Sequence, residues 1–283
     1  MEPSFKLPPH DPIAIALSED IGTGDLTCRY FVAPERHGHA RIFAKETAVV
    51  AGAGTAAEVF RRVDPSLEIE VIQPDGSQVE PGETILTIRG SVRSILTGER
   101  VALNFLQRLS GVATLTRQFV DAVGGESTRI LDTRKTTPGL RALEKAAVEA
   151  GGGVNHRFGL YDMVMVKDNH LAADANPVRM QEAIRQFRGD NPGLRVELEA
   201  DTLDQVRTFL TFEGVDVILL DNMSCDDMAE AVRLGGGRVL FEASGGITLE
   251  TIPEIAATGV DFISSGALTH SAGSIDYSLE LLE

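Results

Sequence analysis

The repeat that decides the fold occupies residues 194–246 and reads LRVELEADTLDQVRTFLTFEGVDVILLDNMSCDDMAEAVRLGGGRVLFEASGG. Three short strand-like segments, LRVELEA, DVILLDN and RVLFEASGG, alternate with two segments whose apolar residues recur at helical spacing. Largely apolar strands separated by helices are typical of a parallel sheet covered on both faces. This stretch therefore predicts β-α-β-α-β connectivity in an α/β fold.

The same alternation extends in both directions. Upstream, strands are predicted at 128–133 and 162–167 and helices at 140–151 and 176–187; downstream, a helix is predicted at 248–259 and a strand at 261–266. These six βα-type units occupy about 140 residues, and an eight-stranded barrel typically takes about 250. We therefore predict a parallel α/β barrel of six or seven strands.

The residues ahead of the barrel predict a strand-rich α+β unit. Residues 40–50 alternate like a strand pair around a turn, 52–63 indicate a helix, and 67–73 and 84–89 indicate strands. From 92 to 123 the apolar residues fall at helical spacing, but Gly98 and Ser110-Gly111 interrupt the run, which predicts two or three connected helices. We place a front domain at 1–110 and the barrel at 111–270.

Composition excludes several classes of protein. The 283 residues are 43% hydrophobic, and the apolar runs contain glycine and fall short of the roughly 20 residues of a membrane span, so no membrane partner is expected. The opening MEPSFKLPPHDP lacks the apolar core of a secretory signal. Cys28 and Cys225 are too few for a disulfide framework. These observations predict a cytoplasmic protein.

Positive charge is concentrated in one window of an acidic chain. From Arg129 to Leu171 there are seven Lys and Arg against five Asp and Glu, whereas the whole chain has a net charge of −16. A local basic cleft concentrates a small anion even on an acidic molecule. Nucleic acid would require a broad basic face, so no nucleic-acid partner is expected.

The predicted strand ends carry the candidate site, because catalytic residues of such barrels lie at the carboxyl ends of strands. Each of the six ends has charged or phosphate-compatible groups, which six independent solvated loops would rarely produce together. The groups are Asp132 to Thr137, Lys167 to His170, Glu197 with Glu199, Asp221-Asn222, Glu242 to Gly246, and Ser264 to Gly266.

Glu197 and Glu199 are two residues apart in a predicted strand, so both side chains point to the same side of it. We expect that side to be the barrel interior. Buried carboxylates need a partner, which Lys135, Lys167 or a divalent metal would supply. Glu199 with Asp221 would suit Mg²⁺ held largely through water and phosphates. The alternative is a Glu–Lys ion pair without a metal.

Two further patterns indicate anion binding. Ser244-Gly245-Gly246 and Ser264-Ser265-Gly266 follow the last two strands, where backbone N–H groups can approach a phosphate. Three arginines and a histidine would suit a ligand with two carboxylates; these are Arg100, Arg134, His156 and Arg157. His156-Arg157 follows a triple glycine in a helix-to-strand loop, normally the opposite end of a barrel. Either that segment returns across the mouth or the pair is structural.

Two other features are set aside. Gly22 and Gly24 resemble part of a dinucleotide loop, but no strand precedes them. Cys225 fits helix packing better than a nucleophile, because no histidine lies near it in the pattern.

Eight motifs in order over nearly the whole chain resemble the quinolinate phosphoribosyltransferase family, the decarboxylating nicotinate-nucleotide pyrophosphorylases. They are EDIGTGDLT, ERVALNFLQRLSGVAT, DTRKTTPGLR, GGGVNHRFGLYDMVMVKDNH, VELEA, ILLDN, EASGGI and SSGALTHS. The resemblance implies a Mg²⁺-dependent reaction of NAD biosynthesis in which quinolinate and phosphoribosyl pyrophosphate give nicotinate mononucleotide, pyrophosphate and CO₂. It also implies an N-terminal α/β sandwich, completed by 271–283, on an open barrel. It further implies a homodimer in which each sandwich closes the partner's barrel mouth, with assembly to a hexamer left open.

The resemblance assigns roles to matching positions. Arg134, His156 and Arg157 would hold the quinolinate carboxylates, with Arg100 reaching in from the partner subunit. Lys135 and Lys167 would face the pyrophosphate, and Glu199 and Asp221 would serve the ribose hydroxyls and Mg²⁺, with Glu197 as the lesser alternative to Glu199. The 5-phosphate would be held by Ser244, Gly245, Gly246, Ser265 and Gly266, with His270 nearby.

Three rival functions remain open. A paralogous phosphoribosyltransferase acting on nicotinate or another planar acid would need fewer Arg and His groups around the ring. A non-catalytic transport-associated relative would not need Lys135, Lys167, Glu199 and Asp221 together. An aldolase-type barrel would use Lys167 as a Schiff-base former, which borohydride trapping would detect.

Overall fold

The computed structural model describes residues 10–125, 127–167, 170 and 176–282. Asp168 and Asn169, at the end of the second predicted barrel strand, and the first nine residues lie outside this set. Two compact units are present. The first draws on Met1–Leu115, Thr136–Gly152 and Ala272–Glu283, and the second on Thr116–Lys135 and Gly153–Ser271. Residues 136–152, which the sequence analysis placed in the barrel domain, thus cluster with the first unit.

The helices and strands follow one another in an order that begins with two helices and ends with a strand. They are α1 (Pro12–Ile21), α2 (Leu26–Phe31), β1 (His37–Ala44), β2 (Ala48–Val49), α3 (Ala53–Val63), β3 (Glu68–Val71), β4 (Gln78–Val79), β5 (Thr84–Ser91), α4 (Val92–Ala122), β6 (Arg129–Leu131), α5 (Arg141–Ala150), β7 (Val164–Val166), α6 (Pro177–Asp190), β8 (Val196–Ala200), α7 (Leu203–Phe209), β9 (Val217–Asp221), α8 (Cys225–Gly235), β10 (Leu240–Ser244), α9 (Ile252–Ala256), β11 (Phe262–Ser264), α10 (Ala267–His270) and β12 (Tyr277–Leu282).

The first unit is built on an antiparallel sheet in the order β12-β1-β5-β3, which confirms the predicted α+β front. Alternate residues of β1, namely Ala40, Ile42 and Ala44, are buried, as expected for a strand with one covered face. The C-terminal β12 pairs with β1 along its length. The expected strand pair within 40–50 is wrong, because β2 pairs with β4 instead of β1.

Helix α4 corrects the prediction of two or three helices, since it runs unbroken from Val92 to Ala122. Its glycines serve close packing instead of breaks. A Cβ at Gly98 would lie 2.9 Å from the Phe60 ring, and one at Gly111 would lie 1.8 Å from the carbonyl oxygen of Gly273. Each glycine therefore gives up some helix propensity in exchange for a close approach by a neighbouring segment.

The second unit contains a six-stranded parallel sheet in the order β6-β11-β10-β9-β8-β7. The first two strands of this sheet in chain order are β6 and β7, and they lie at its opposite edges. The sheet is therefore open between them. The predicted open parallel α/β barrel is thereby confirmed. All five residues of β8 and the first four of β9 are buried, which explains the apolar character of β9, whereas β8 buries Glu197 and Glu199 between its apolar residues.

Residues 153–157 follow the open edge of the sheet. The Val154 N–H donates to the Ile130 carbonyl (2.8 Å), the Asp132 N–H donates to the Val154 carbonyl (3.2 Å), and Val154 forms a parallel bridge with Leu131. The segment therefore runs in the direction of β6 and ends at the same edge as the strand termini.

None of the helices in the described ranges combines the length and apolar character that crossing a bilayer requires.

Candidate active site

A cavity of about 190 Å³ opens at the carboxyl end of the parallel sheet, and we call it the mouth cavity. Its lining comes from β7 to β11, from the segments that follow β6 and β7, and from residues 156–157. The lining residues are Thr133, Arg134, Lys135, His156, Arg157, Met165, Lys167, Glu199, Leu219, Asp221, Glu242, Ser244 and Ser264. The structure thus brings together eight of the residues to which the sequence assigned roles, namely Arg134, Lys135, His156, Arg157, Lys167, Glu199, Asp221 and Ser244.

Four cations share the mouth cavity: Arg134, Lys135, Arg157 and Lys167. Burial lowers the pKa of the Arg157 guanidinium, and the positive charge of Arg134 lowers it further. A cavity that holds two mutually repelling guanidinium groups is suited to a ligand with more than one negative charge.

Lys167 pairs with Glu199, donating from Nζ to Oε2. Asp221 lines the same cavity, and burial raises its pKa, with the negative charge of nearby Glu199 acting in the same direction. Two neighbouring carboxylates with an ammonium group beside them form a mixed-charge face suited to cations and hydroxyls. Glu199 therefore occupies the mouth position that the sequence had left open between Glu197 and Glu199.

Asn222 and Gly245 shape the edge of the cavity next to Asp221. Asn222 is the one non-glycine residue with positive φ (52°) in the described backbone, and its Nδ2 donates to Asp221 Oδ2 at 2.7 Å. Gly245 has φ +92°, and a Cβ there would lie 2.3 Å from Asn222 Oδ1. Glycine is required at 245 on both grounds. The positive φ of Asn222 could not be predicted from the sequence, although Asn tolerates the left-handed region better than most residues.

The expected phosphate residues lie after β10 and β11. Ser244 and Ser264 line the mouth cavity, and Gly245, Gly246, Ser265 and Gly266 follow them in sequence. Lys135 is close to this loop, because a Cβ at Gly266 would lie 2.7 Å from its Cδ and Thr269 Oγ1 donates to its carbonyl oxygen at 2.8 Å. His270 is exposed at the end of α10.

His156 and Arg157 both reach the mouth cavity, although a helix-to-strand loop normally lies at the other end of a barrel. The pairing of Val154 with β6 explains this, because it directs the segment toward the mouth. Arg100 lies on α4 within the first unit, and its side chain is exposed.

Below the mouth cavity lies a buried cluster that the sequence did not single out, formed by His156, Glu197 and Glu242. His156 Nε2 is 3.2 Å from Glu197 Oε2 and 3.5 Å from Glu242 Oε2. Glu197 does not line the mouth cavity; with His156 and Glu242 it lines a second cavity of about 90 Å³, which we call the inner cavity. Glu242 was recognised only as part of a strand end.

The charges of this cluster hold a proton. Burial, followed by the charge of Glu242, raises the pKa of Glu197 to about 7. Burial lowers the pKa of His156 and the two glutamates raise it, but the Arg157 N–H donates to His156 Nδ1 at 2.7 Å, a bond that only the neutral ring can accept and that opposes the rise. The one proton of the ring therefore lies on Nε2 and faces the carboxylates.

The chain matches two family models that together cover most of its length. Residues 25–110 match "Quinolinate phosphoribosyl transferase, N-terminal domain", and residues 112–280 match "Quinolinate phosphoribosyl transferase, C-terminal domain". The chain belongs to the quinolinate phosphoribosyltransferase family. Members of this family are pentosyltransferases, so the predicted enzyme class is confirmed.

Individual relatives agree with the family. The chain is 45% identical over 263 residues to a "Probable nicotinate-nucleotide pyrophosphorylase [carboxylating]" of Bacillus subtilis, covering 93% of this chain and 90% of the relative. It is 43% identical to "Quinolinate phosphoribosyltransferase [decarboxylating] 2, mitochondrial" of Nicotiana glauca, covering 94% and 80%. The crystal structure of NadC from Streptococcus pyogenes superposes with a TM-score of 0.90 at 42% identity, covering 99% of this chain and 100% of that one.

A cavity larger than the mouth cavity is not this site. It measures about 340 Å³, lies in the first unit, and is lined in part by Phe105 and Arg108. Arg108 donates to Glu144 and to the Ala272 carbonyl, so its charge is used in holding that unit together. The grouping of cations, carboxylates and strand ends identifies the mouth cavity, not the larger one, as the candidate active site.

Proposed function

We propose that this chain transfers the phosphoribosyl group of phosphoribosyl pyrophosphate to quinolinate, with loss of CO₂, giving nicotinate mononucleotide and pyrophosphate in NAD biosynthesis. The observation that carries the proposal is the composition of the mouth cavity. It combines Arg134, Lys135, Arg157 and Lys167 with the carboxylates of Glu199 and Asp221. Quinolinate brings two carboxylates and the second substrate brings phosphates and ribose hydroxyls, so both charge types in the cavity have a partner.

Arg134 and Arg157 bind the carboxylates of quinolinate. A guanidinium matches a carboxylate through two parallel N–H···O bonds, and a dianion relieves the repulsion between the two arginines. His156 supports this arrangement from below, through its bond to the Arg157 N–H. Nicotinate, with a single carboxylate, would leave one arginine less well compensated.

Lys135 and Lys167 face the departing pyrophosphate, and the loops at Ser244 to Gly246 and Ser265-Gly266 receive the 5-phosphate. Loss of pyrophosphate leaves an oxocarbenium-like ribose, and Glu199 and Asp221 stabilise that charge and accept from the ribose hydroxyls. The ion pair between Lys167 and Glu199 places both charge types at one point of the cavity. The ring nitrogen of quinolinate then bonds to the anomeric carbon.

The Glu199–Asp221 pair fits a divalent metal of the Mg²⁺ type. The two carboxylates line one cavity, and Glu199 raises the pKa of Asp221, so a cation between them would relieve their repulsion. When bound, Mg²⁺ would neutralise phosphate charge. Two protein oxygens leave room for water and phosphate ligands, which is how Mg²⁺ is commonly held.

Decarboxylation follows from the substrate's own chemistry once the ring is ribosylated. The positive ring nitrogen stabilises the electron pair that the breaking C–C bond leaves on the ring carbon as CO₂ departs, and that carbon then takes a proton from solvent, so the chain has only to orient the ring and exclude competing reactions. Arg134 and Arg157 fix that orientation.

We extend the proposal to a homodimer with shared sites, in which Arg100 reaches the partner's mouth cavity and further assembly stays open. Supporting this, Arg100 is exposed, and the first unit exposes Tyr30 (73%) and Phe31 (86%) on α2, large apolar side chains of the kind that partner surfaces cover. A cytoplasmic setting is the companion proposal, supported by two cysteines that are both free.

The test is release of labelled CO₂ from carboxyl-labelled quinolinate, measured with and without phosphoribosyl pyrophosphate and Mg²⁺. We expect release only when both are present, together with equimolar nicotinate mononucleotide. Turnover of nicotinate in place of quinolinate would favour the paralogous activity instead. A carbonyl substrate trapped on Lys167 by borohydride would instead favour an aldolase-type reaction.

A further inference from the structure

We propose that Glu197 and Glu242 are positioning residues that act through His156 to hold Arg157 where it binds the substrate's carboxylates, an inference that rests on the proposed function. Neither glutamate has a role in the reaction outlined above. Glu197 lies two residues before Glu199 on the same face of β8, yet it faces the inner cavity and not the mouth.

The two glutamates are buried and need a compensating group. The exposed fraction of the side chain is 1% for Glu197 and 3% for Glu242. Among the described residues, no hydrogen-bond partner is found for either carboxylate oxygen of Glu197 or for Oε1 of Glu242, and all three atoms are buried. His156 Nε2 lies at ion-pair distance from Oε2 of each glutamate. Because an uncompensated buried carboxylate is costly, the pair strongly favours one position of the imidazole ring.

The ring position is transmitted to Arg157 through the backbone. The His156 N–H donates to Asp132 Oδ1 at 2.7 Å, and the Arg157 N–H donates to His156 Nδ1 at 2.7 Å. Peptide groups on both sides of His156 are therefore fixed. If the ring moved toward solvent, the Arg157 N–H would lose its acceptor and the main chain that carries the side chain of Arg157 would be less firmly fixed, leaving the guanidinium held only by the Met163 carbonyl and Met165 Sδ.

Glu197 also affects the pKa of Arg157. Burial and the neighbouring Arg134 lower the pKa of its guanidinium, whereas the negative charge of Glu197 raises it. Glu197 thus offsets part of the repulsion within the arginine pair before substrate arrives. Arg157 lines both the mouth cavity and the inner cavity.

A metal ion is the alternative occupant of the cluster, since ligand atoms of His156, Glu197 and Glu242 lie within 4.8 Å of one another. The geometry disfavours it. The Arg157 N–H requires the lone pair of Nδ1, so a neutral ring carries its proton on Nε2, the atom that would have to bind the metal.

The test is a double-mutant cycle on His156→Gln and Glu197→Gln, with Glu242→Gln measured in parallel. We expect each single variant to raise KM for quinolinate about tenfold or more, the cost of a disturbed charge-assisted contact, with KM for phosphoribosyl pyrophosphate and kcat within about twofold. The double variant should be no worse than the worse single variant, because both act through one arrangement. Glu213→Gln, which removes the same charge from an exposed ion pair with Arg185, is the matched control and should leave both KM values unchanged.

Additive effects of His156→Gln and Glu197→Gln would overturn the proposal, and so would equal increases of both KM values. A second readout requires no substrate. The ¹⁵N chemical shifts of the six histidines in the unliganded chain should include one ring protonated on Nε2 and bare on Nδ1, assigned to His156 by its loss in His156→Gln. Protonation on Nδ1 alone, or a stoichiometric metal found by elemental analysis, would contradict the proposal. If the wild-type chain fails to release CO₂ from quinolinate, the proposed function fails, and the ¹⁵N result still decides the geometry.

Discussion

Arg134 and Arg157 approach one cavity from different segments of the chain, closely enough for the charge of Arg134 to lower the pKa of Arg157. Arg134 follows β6, and Arg157 follows the segment that pairs beside β6. Such a pair of cations is unfavourable until an anion binds between them. The arginine pair is therefore the part of the site most directly matched to a dicarboxylate.

Replacing either arginine by alanine is expected to weaken quinolinate binding more than phosphoribosyl pyrophosphate binding. Losing one charge-assisted contact typically costs about 1.5–3 kcal/mol. Calorimetric titration of each substrate into Arg134→Ala and Arg157→Ala would measure both affinities, with the exposed Arg185→Ala as the control. Equal losses for the two substrates would argue against carboxylate recognition by this pair.

Replacing Lys135 by alanine is expected to lower kcat far more than it changes either KM. A lysine that faces charge growing on the leaving pyrophosphate contributes mainly in the transition state. Steady-state kinetics at saturating substrates would show this as a fall in kcat of about tenfold or more. An increase of KM with unchanged kcat would mean that Lys135 only binds the ground state.

Mixing two inactive variants tests the shared site. Arg100→Ala and Lys167→Ala would be dissociated, combined in equal amounts and reassociated. If Arg100 serves the partner's site, one site in each mixed dimer has both residues intact, and random pairing should restore roughly a quarter of wild-type activity. Absence of recovery, with subunit exchange confirmed by native mass spectrometry, would show that each chain completes its own site.

Stability should fall with rising pH because of the buried cluster. Burial, followed by the charge of Glu242, raises the pKa of Glu197 from 4.5 to about 7, so between these values the folded chain holds a proton that the unfolded chain releases. The effect is full below pH 4.5 and is lost as pH rises toward 7, with a slope of up to about 1.4 kcal/mol per pH unit for one proton.

Urea unfolding at several pH values would measure this slope. Glu197→Gln/Glu242→Gln removes both the carboxyl group that holds this proton and the neighbouring charge that raises its pKa, so the slope of this variant should be flatter than that of wild type. Parallel curves for the two proteins would show that the cluster does not hold the proton.

Gly111→Ala is expected to destabilise the chain by about 2 kcal/mol or more, because overpacking against backbone is poorly relieved. The new Cβ would meet the Gly273 carbonyl oxygen at 1.8 Å, well inside contact distance. Gly54→Ala in α3 is the matched control, since a Cβ there meets nothing within 4 Å. The control should be neutral or slightly stabilising in a thermal melt. Equal melting temperatures for both variants would contradict the packing role of Gly111.

Much of the second unit was predictable because its signals are local. Apolar runs such as VILLD mark strands buried on both faces, and the chemistry of a barrel collects at strand ends, so Lys135, Glu199 and Asp221 could be located from order alone. Period-two alternation also put Glu197 and Glu199 on one face. It could not give their depth, because depth depends on how far each residue lies from the strand end in the assembled sheet.

The features that the sequence did not predict depend on long-range packing. Gly98 and Gly111 resemble helix breaks in sequence but are contact points in α4, and only the neighbouring segments reveal this. The helices α1 and α2 were not predicted, although Asp11 and Asp25 cap their first turns. His156-Arg157 reaches the mouth through a single bridge at Val154, which no local pattern encodes.

Because Val154 forms a bridge with Leu131, residues 153–157 serve two purposes. The segment 153–157 covers part of a strand edge that would otherwise offer unpaired N–H and carbonyl groups to other chains, and the same segment brings His156 and Arg157 to the mouth cavity. An insertion or deletion here would both disturb the lining of that cavity and expose an unpaired strand edge. Selection for a new acid substrate would therefore find this segment hard to vary. The loop after β6, which carries Arg134 without serving as an edge cover, offers the easier route to changed specificity.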